Sequence, residues 1–585
     1  MQTTWKLEDI YNSPSDEQLR KDQEFVKSSV SDFKQKYQNK LSVDFLVASI
    51  NEYESIIGMI EKIASYSFLY TQTRLDDSDA LAFYQKTVEF LTSVESELVF
   101  YELEVAKLDY NKTIEVSGDY RSWIEGLFRF KDHMLSTQVE ETLSKKSITS
   151  IIGWIRLYDE ILSRIDFDFE GKTISLPEIM EIASHSNNSE KREKESRIAG
   201  SRLEQESFYI KHIYNNILVD KSTNDKLRGY AKPESSRHLN NNIDQISVDN
   251  LADAVVDGYK ETSQKYYKLK AKLLNKTNFE YWDRNAPVQL SEILNRKFEY
   301  REACDIVLNM FGRFSRVFQD IARDFIEKSW IDVYPAKSKT SGAFSHSCCC
   351  DVHPYILLNY FGSVRDISTL AHELGHGIHQ TLSSKNGSLL SNTPITLSEV
   401  ASLFSEKLLF EDMYQQTKND LERIDLICSK LDDTINSVMR QIAFFEFERR
   451  AHELRKEREL SNQDFCKIFL DTQNECLGSA VNIDPVIGNY WTYISHFFHS
   501  PFYVYAYAFG EIFTNALYET YKKSGSEFVE TYIDVLSRGG IDRYDVVASR
   551  FGLDTGSVKF WKSGVELIKD QVNNLETLCD SAKII

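Results

Sequence analysis

Thr369-Leu370-Ala371-His372-Glu373-Leu374-Gly375-His376-Gly377-Ile378-His379-Gln380 holds the residue set with the clearest chemistry in this chain. His372 and His376 are four apart. On a helix that spacing puts them about 40° apart in azimuth and about 6 Å apart along the axis. Two imidazoles then leave one face, the bite that a tetrahedral zinc ion takes. Glu373 stands one step around the helix, where it reaches a metal-activated water without being a ligand, as a general base must. The competing reading is a pair of core histidines on an amphipathic helix. The apolar approach to the motif, and Asp366 standing as the expected N-cap, favour an ordered, partly buried helix.

A zinc site needs a further ligand. His379 lies about two turns, or 10 Å, from His372 and is out of reach. The metzincin pattern, with a third His six residues after His376, is not met, because Leu382 occupies that place. His379 therefore reads as a packing or supporting residue. Glu399 is the better candidate. It lies in Pro394-Ile395-Thr396-Leu397-Ser398-Glu399-Val400-Ala401-Ser402, a second helix reached through a loop containing Lys385-Asn386-Gly387. Two His and one Glu with an open position form a catalytic rather than a structural zinc set. Glu406 shares a face with Glu399 and reads either as an acceptor orienting a ligand imidazole or as a solvated acid.

Two other regions draw attention. Ala451-His452-Glu453-Leu454-Arg455-Lys456 repeats the start of the motif, but Lys456 replaces the second His, so it reads as a charged helix face. The stretch Trp491 to Glu511 is dense in aromatics and contains His496, Tyr503, Tyr505 and Tyr507. Alone it reads as aromatic core. Beside zinc, phenol and imidazole donors would stabilise an oxyanion. On a helix Tyr503 and Tyr507 would share a face, and Tyr505 would point elsewhere.

These residues need a scaffold, and the composition describes one. Gly is 23 and Pro is 9 of 585 residues, which favours long uninterrupted helices over turn-rich β architecture. Segments 18–37, 43–70 and 80–108 carry apolar residues at three- and four-residue spacing. Residues 165–176 alternate around Glu170-Gly171 and read as a hairpin, and Pro177 then opens a helix. Strand candidates recur at 330–335 and 355–362. The polar stretch 184–202 suggests a boundary near residue 200. The expected organisation is a helical N-terminal lobe over 1–200 and a catalytic region over 201–585.

The net charge of −20 repels nucleic acid. No apolar run is long enough for a membrane span, and the N-terminus lacks the apolar core of a secretory signal, so the expected location is cytoplasmic. Eight cysteines include the consecutive Cys348-Cys349-Cys350 but no CxxC pair, which argues against a thiolate metal site. The triple reads as packing or as a source of thiol sensitivity.

Ordered blocks along the chain carry a wider resemblance. They are Trp5-Lys6-Leu7-Glu8-Asp9-Ile10-Tyr11, Arg228-Gly229-Tyr230, Ser236-Arg237-His238-Leu239, and Lys339 to Ser345. They continue with His353-Pro354-Tyr355-Ile356-Leu357-Leu358-Asn359-Tyr360, the His372–His376 helix, Glu399-Val400-Ala401-Ser402, and His496 to Gly510. In these blocks the chain resembles the oligoendopeptidase F family of thimet-oligopeptidase-like zinc peptidases. The resemblance implies a mainly α, two-lobed helical zinc peptidase with a deep central channel and a small β-sheet near the active site. It implies one Zn²⁺ per chain on His372, His376 and Glu399, with Glu373 as general base and His496, Tyr503 and Tyr507 in the transition-state block. It also implies endopeptidase action on short unstructured peptides. The edge near Gly342–Phe344 and His353–Tyr360 resembles a strand that pairs with substrate backbone. No nucleic-acid or membrane partner is expected, and the protein is expected to be a monomer or small homo-oligomer. The alternatives are a zinc exopeptidase and a catalytically silent peptide-binding protein.

Overall fold

The computed structural model describes residues 3–584. Helices dominate it. The longest early ones are α1 (Glu17–Tyr37), α2 (Leu46–Gln72) and α3 (Ser78–Val105). Asp16 caps α1 through the Gln18 N–H and Asp77 caps α3, while α2 continues directly from a 3-10 turn at Val43–Phe45. Ile50, Tyr53, Ile60, Ile63, Tyr66 and Leu69 recur along one stripe of α2 and are buried, as a helix packed on its neighbours requires.

The hairpin expected at 165–176 is present. Strand β1 (Asp166–Phe169) pairs antiparallel with β2 (Lys172–Ser175) through a two-residue turn at Glu170 and Gly171, both at positive φ. The Pro177 helix follows, with a capping box between Ser175 and Glu178. The segment read as a boundary is different. Helix α4 (Ser189–Leu227) runs unbroken through residue 200. The charges that suggested a surface linker are partly internal: Arg192 and Asp283 are both buried and form an ion pair at 2.5 Å. A charged run marks a linker only when nothing pairs with it.

A three-stranded sheet contains β3 (Ile331–Asp332), β4 (Phe344–His346) and β5 (Tyr355–Leu357) in the order β3-β5-β4. Strand β5 is central, parallel to β3 and antiparallel to β4. Strands β3 and β4 are therefore the edges, and the Tyr355–Leu357 stretch is not one. The principal later helices are α5 (Val364–Ser383), α6 (Ile395–Gln416), α7 (Gln441–Arg455) and α8 (Tyr505–Ser524). None of the described helices is long and apolar enough to cross a membrane.

Contacts divide the chain into two compact units, each built from three stretches. The first takes residues 1–131, 295–415 and 517–553; the second takes 132–294, 416–516 and 554–585. This cut differs from a sequential one at residue 200, since helices α1–α3 belong with the 372–406 region. In the first unit the core of α1–α3 continues through Trp5, Cys348, Cys349, Tyr355 and Leu357 to the sheet. Two of the three consecutive cysteines are thus core residues, and all eight cysteines are free thiols.

Candidate metal centre and aromatic cluster

Helix α5 is held at its start by a capping box. The N-cap is Ser363, not Asp366; Asp366 occupies the third helical position and accepts from the Ser363 backbone N–H at 2.8 Å. Along this helix Leu370, Ala371, Leu374 and Ile378 are buried, leaving His372 and His376 half-buried. Their rings stand 4.9 Å apart at 77°.

Glu399 on α6 faces both. Its Oε2 lies 3.6 Å from His372 Nε2 and 3.6 Å from His376 Nε2. A tetrahedral zinc with bonds of about 2.1 Å separates its ligand atoms by about 3.4 Å. The three donor atoms lie within 4.8 Å of one another, the one such group among the described residues. The donor set and its spacing fit zinc.

Gly375 allows this approach. A Cβ there would stand 2.6 Å from Ser405 Oγ, 2.7 Å from the Ala401 carbonyl oxygen and 2.8 Å from Ser402 Cα. Glycine costs about 1 kcal/mol in a helix interior. Here that cost permits backbone contact between α5 and α6, which carries Glu399 to the histidines. Gly377 meets the Phe325 ring in the same way on the other side.

A supporting layer orients the donors. His372 Nδ1 hydrogen-bonds Glu406 Oε1, which leaves Nε2 facing Glu399 and able to take a metal. Glu406 is therefore an orienting acceptor rather than a solvated acid. Ser402 Oγ donates to Glu399 Oε2 at 3.1 Å. His379 is buried 14 residues before Thr393 and meets its Oγ1 at 3.3 Å; burial holds the imidazole down at about 3, hence neutral. It packs and does not ligate.

Carboxylates dominate the electrostatics of the centre. Burial pulls His372 down, but the Glu406 hydrogen bond and the charges of Glu406, Glu373 and Glu399 outweigh it and raise it to about 9. Burial pulls Glu399 up, yet His376, His372 and Ser402 hold it down at about 2. Three carboxylates around two imidazoles favour positive charge between them. Glu373 is 6% exposed, and burial raises its proton affinity, which the neighbouring histidines partly offset.

A cavity of about 210 Å³ adjoins the centre. His376, Gln380, Glu61 and Cys348–Cys350 are among its walls. Gln380 also ties α5 to the sheet, since Ser345 Oγ donates to its Oε1 at 2.8 Å. The thiol of Cys350 lies 3.8 Å from the hydroxyls of Ser388 and Ser391.

His496, Tyr503 and Tyr507 belong to the second unit and form a cluster of their own. His496 Nε2 and Tyr507 Oη are 3.1 Å apart, and the His496 and Tyr503 rings stack at 5.8 Å. The rings of Tyr503 and Tyr507 are 5.5 Å apart. They do not share one helix: α8 starts at Tyr505, and Tyr503 sits in the turn before it. Burial, with the nearby His499, lowers the His496 pKa, which keeps the ring neutral. Tyr505 does point elsewhere. It is fully buried and meets His238 and Asn241.

The turn that presents Tyr503 is strained. Phe502 has φ +60°, a region bulky residues rarely occupy. Its N–H donates to Oε1 of the buried Glu448 carboxyl at 2.7 Å. Burial raises Glu448 to about 8, against the lowering effects of that hydrogen bond and of Arg237 and Lys221. Sequence reasoning missed Glu448, because a Glu on a helix carries no mark of burial. It missed Gly375 too, although two glycines inside one helix were a visible signal.

The chain also resembles known proteins. Residues 182–567 match peptidase family M3, and residues 112–167 match oligopeptidase F. The oligoendopeptidase F homolog of Borreliella burgdorferi is 28% identical over 97% of this chain and 94% of its own length. Oligopeptidase PepF of Bacillus subtilis is 27% identical over 99% of this chain and 88% of its own. In fold, the crystal structure of oligoendopeptidase-F from Enterococcus faecium matches with a TM-score of 0.72 at 20% identity, covering 96% of this chain and 99% of that one.

Proposed function

The chain belongs to peptidase family M3, and from that premise we propose a zinc-dependent endopeptidase that cuts short unstructured peptides at internal bonds. The observation that carries the reading is the position of Glu399 Oε2, 3.6 Å from Nε2 of both His372 and His376, with Glu373 beside them.

In this reading His372, His376 and Glu399 hold one zinc ion. When bound, zinc lowers the pKa of water and polarises the scissile carbonyl. Glu373 takes the proton of the attacking water on its carboxylate and passes it to the leaving amine. Its burial supports that role, since a raised proton affinity suits a base that must hold a proton between steps. Glu406 keeps His372 in the tautomer that offers Nε2. Neutral His496 and the phenols of Tyr503 and Tyr507 donate hydrogen bonds to the developing oxyanion. That assignment rests on the family resemblance and on the mutual geometry of the three side chains. The β4 edge of the sheet pairs with extended substrate backbone in this reading, a mode that selects unfolded chains.

Glu373→Gln tests the reading. It should retain one zinc per chain by elemental analysis and lose about 10²–10⁴-fold in kcat. Full turnover by the variant sinks the role of Glu373. Mass spectrometry of products from an end-blocked, internally quenched peptide separates internal cleavage from exopeptidase action, because an exopeptidase leaves that peptide intact.

A further inference from the structure

The second unit holds a cavity with a different character. It measures about 400 Å³, within the usual range for a small-molecule pocket. The end of α4, the loop around Tyr230–Pro233 and the end of α7 enclose it. The last of these carries Ala451-His452-Glu453-Leu454-Arg455, the segment whose sequence reads as a charged helix face. The structure corrects that reading for His452. It is 5% exposed, lines the cavity, and its Nε2 has no hydrogen-bond partner.

The charges on the wall are unbalanced. Lys226, Lys232, Arg455 and Lys456 line the cavity against a single acid, Asp225. Asp225 is already engaged by Lys221 at 2.9 Å. Lys456 meets Glu453 at 2.6 Å, an exposed pair of the kind that contributes little. Lys232 comes only within 3.4 Å of Asp249, a carboxylate that Arg449 also holds. Among the described residues no acid pairs with Arg455 or Lys226, and Arg455 Nε is buried without a partner. Burial and the charges of Lys221 and Lys456 keep His452 neutral. In a chain of net charge −20, four cations around one hollow, two of them without an acid partner among the described residues, are a local reversal.

We propose that this cavity is a binding site for a phosphorylated small molecule, with the phosphate on Arg455, Lys226 and Lys456. The guanidinium fork matches phosphate oxygens, and lysines add charge around it. The hydroxyls of Ser222 and Thr223 extend the polar wall, and Leu218 and Tyr230 offer apolar surface to the organic part. Peptide hydrolysis uses none of these residues, so the site stands apart from the metal centre in its chemistry.

Calorimetric titration of the zinc-loaded protein with pyrophosphate and with adenosine monophosphate, at constant ionic strength near 0.15 M, tests the proposal. Each should bind saturably at one per chain. Arg455→Ala and Lys226→Ala should each weaken binding at least tenfold while leaving the melting temperature within a few degrees. Lys226 is exposed, so its variant keeps the test valid if Arg455→Ala fails to fold. Absence of saturable binding, unchanged affinity in the variants, or equal competition by the tricarboxylate citrate would overturn the proposal.

Discussion

The metal centre and the aromatic cluster solve one problem, the placement of a few polar side chains, by opposite means. The centre sits on two regular helices brought into backbone contact by Gly375, with His372 steered by its hydrogen bond to Glu406 and Glu399 by one from Ser402. The cluster hangs on a strained turn, where Phe502 at positive φ leans on the buried Glu448. Regular helices give precision through spacing, and little strain is stored. The turn gives an orientation that no helix offers, at the cost of a strained residue and a buried carboxyl. The difference should appear in what each region loses when altered.

The largest effect should come from the ligand itself. Glu399→Ala should leave the protein folded but almost free of zinc after gel filtration, with peptidase activity near zero. Full zinc occupancy in that variant would move the third ligand elsewhere. Next is Tyr507→Phe, which removes one hydroxyl from the cluster and should lower kcat about 10–10³-fold with zinc content unchanged. A loss of zinc there would break the separation drawn between the two regions. Glu406→Gln should weaken zinc affinity about 10–100-fold, read by competition with a chelator, while saturating zinc restores most activity.

The smallest effect concerns stability and belongs to the turn alone. Folded Glu448 keeps its proton up to about pH 8, whereas in the unfolded chain it titrates near 4.5. Between those values the unfolded state binds fewer protons, so stability falls as pH rises, by at most about 1.4 kcal/mol per pH unit. Glu448→Gln should remove that fall and gain on the wild type from pH 5 to pH 8 in urea denaturation. A difference that stays constant with pH would show that Glu448 is not held protonated.

Much of the site could be read directly. The four-residue step between His372 and His376, and the placement of Glu373 beside them, follow from helix geometry alone. Glu399 was legible as a returning acid, and Glu406 as one of two alternatives that the His372 contact decides. The hairpin at 165–176 and the Pro177 helix were legible because turns and caps are local. The unbroken helix through residue 200 was not, because the charges of 189–202 looked solvated until Asp283, distant in sequence, proved to pair with Arg192.

What the sequence by itself determined is therefore everything set by short spacing: the helical class, the His372–His376 pair with Glu373 beside it, and the family. Tertiary structure alone decided which stretches form each unit, how closely α5 and α6 approach, which acid supports His372, and that His452 is buried beside a cluster of cations. Periodicity and motifs act within a few residues of chain. Burial, ion pairing and backbone approach depend on partners brought from tens or hundreds of residues away.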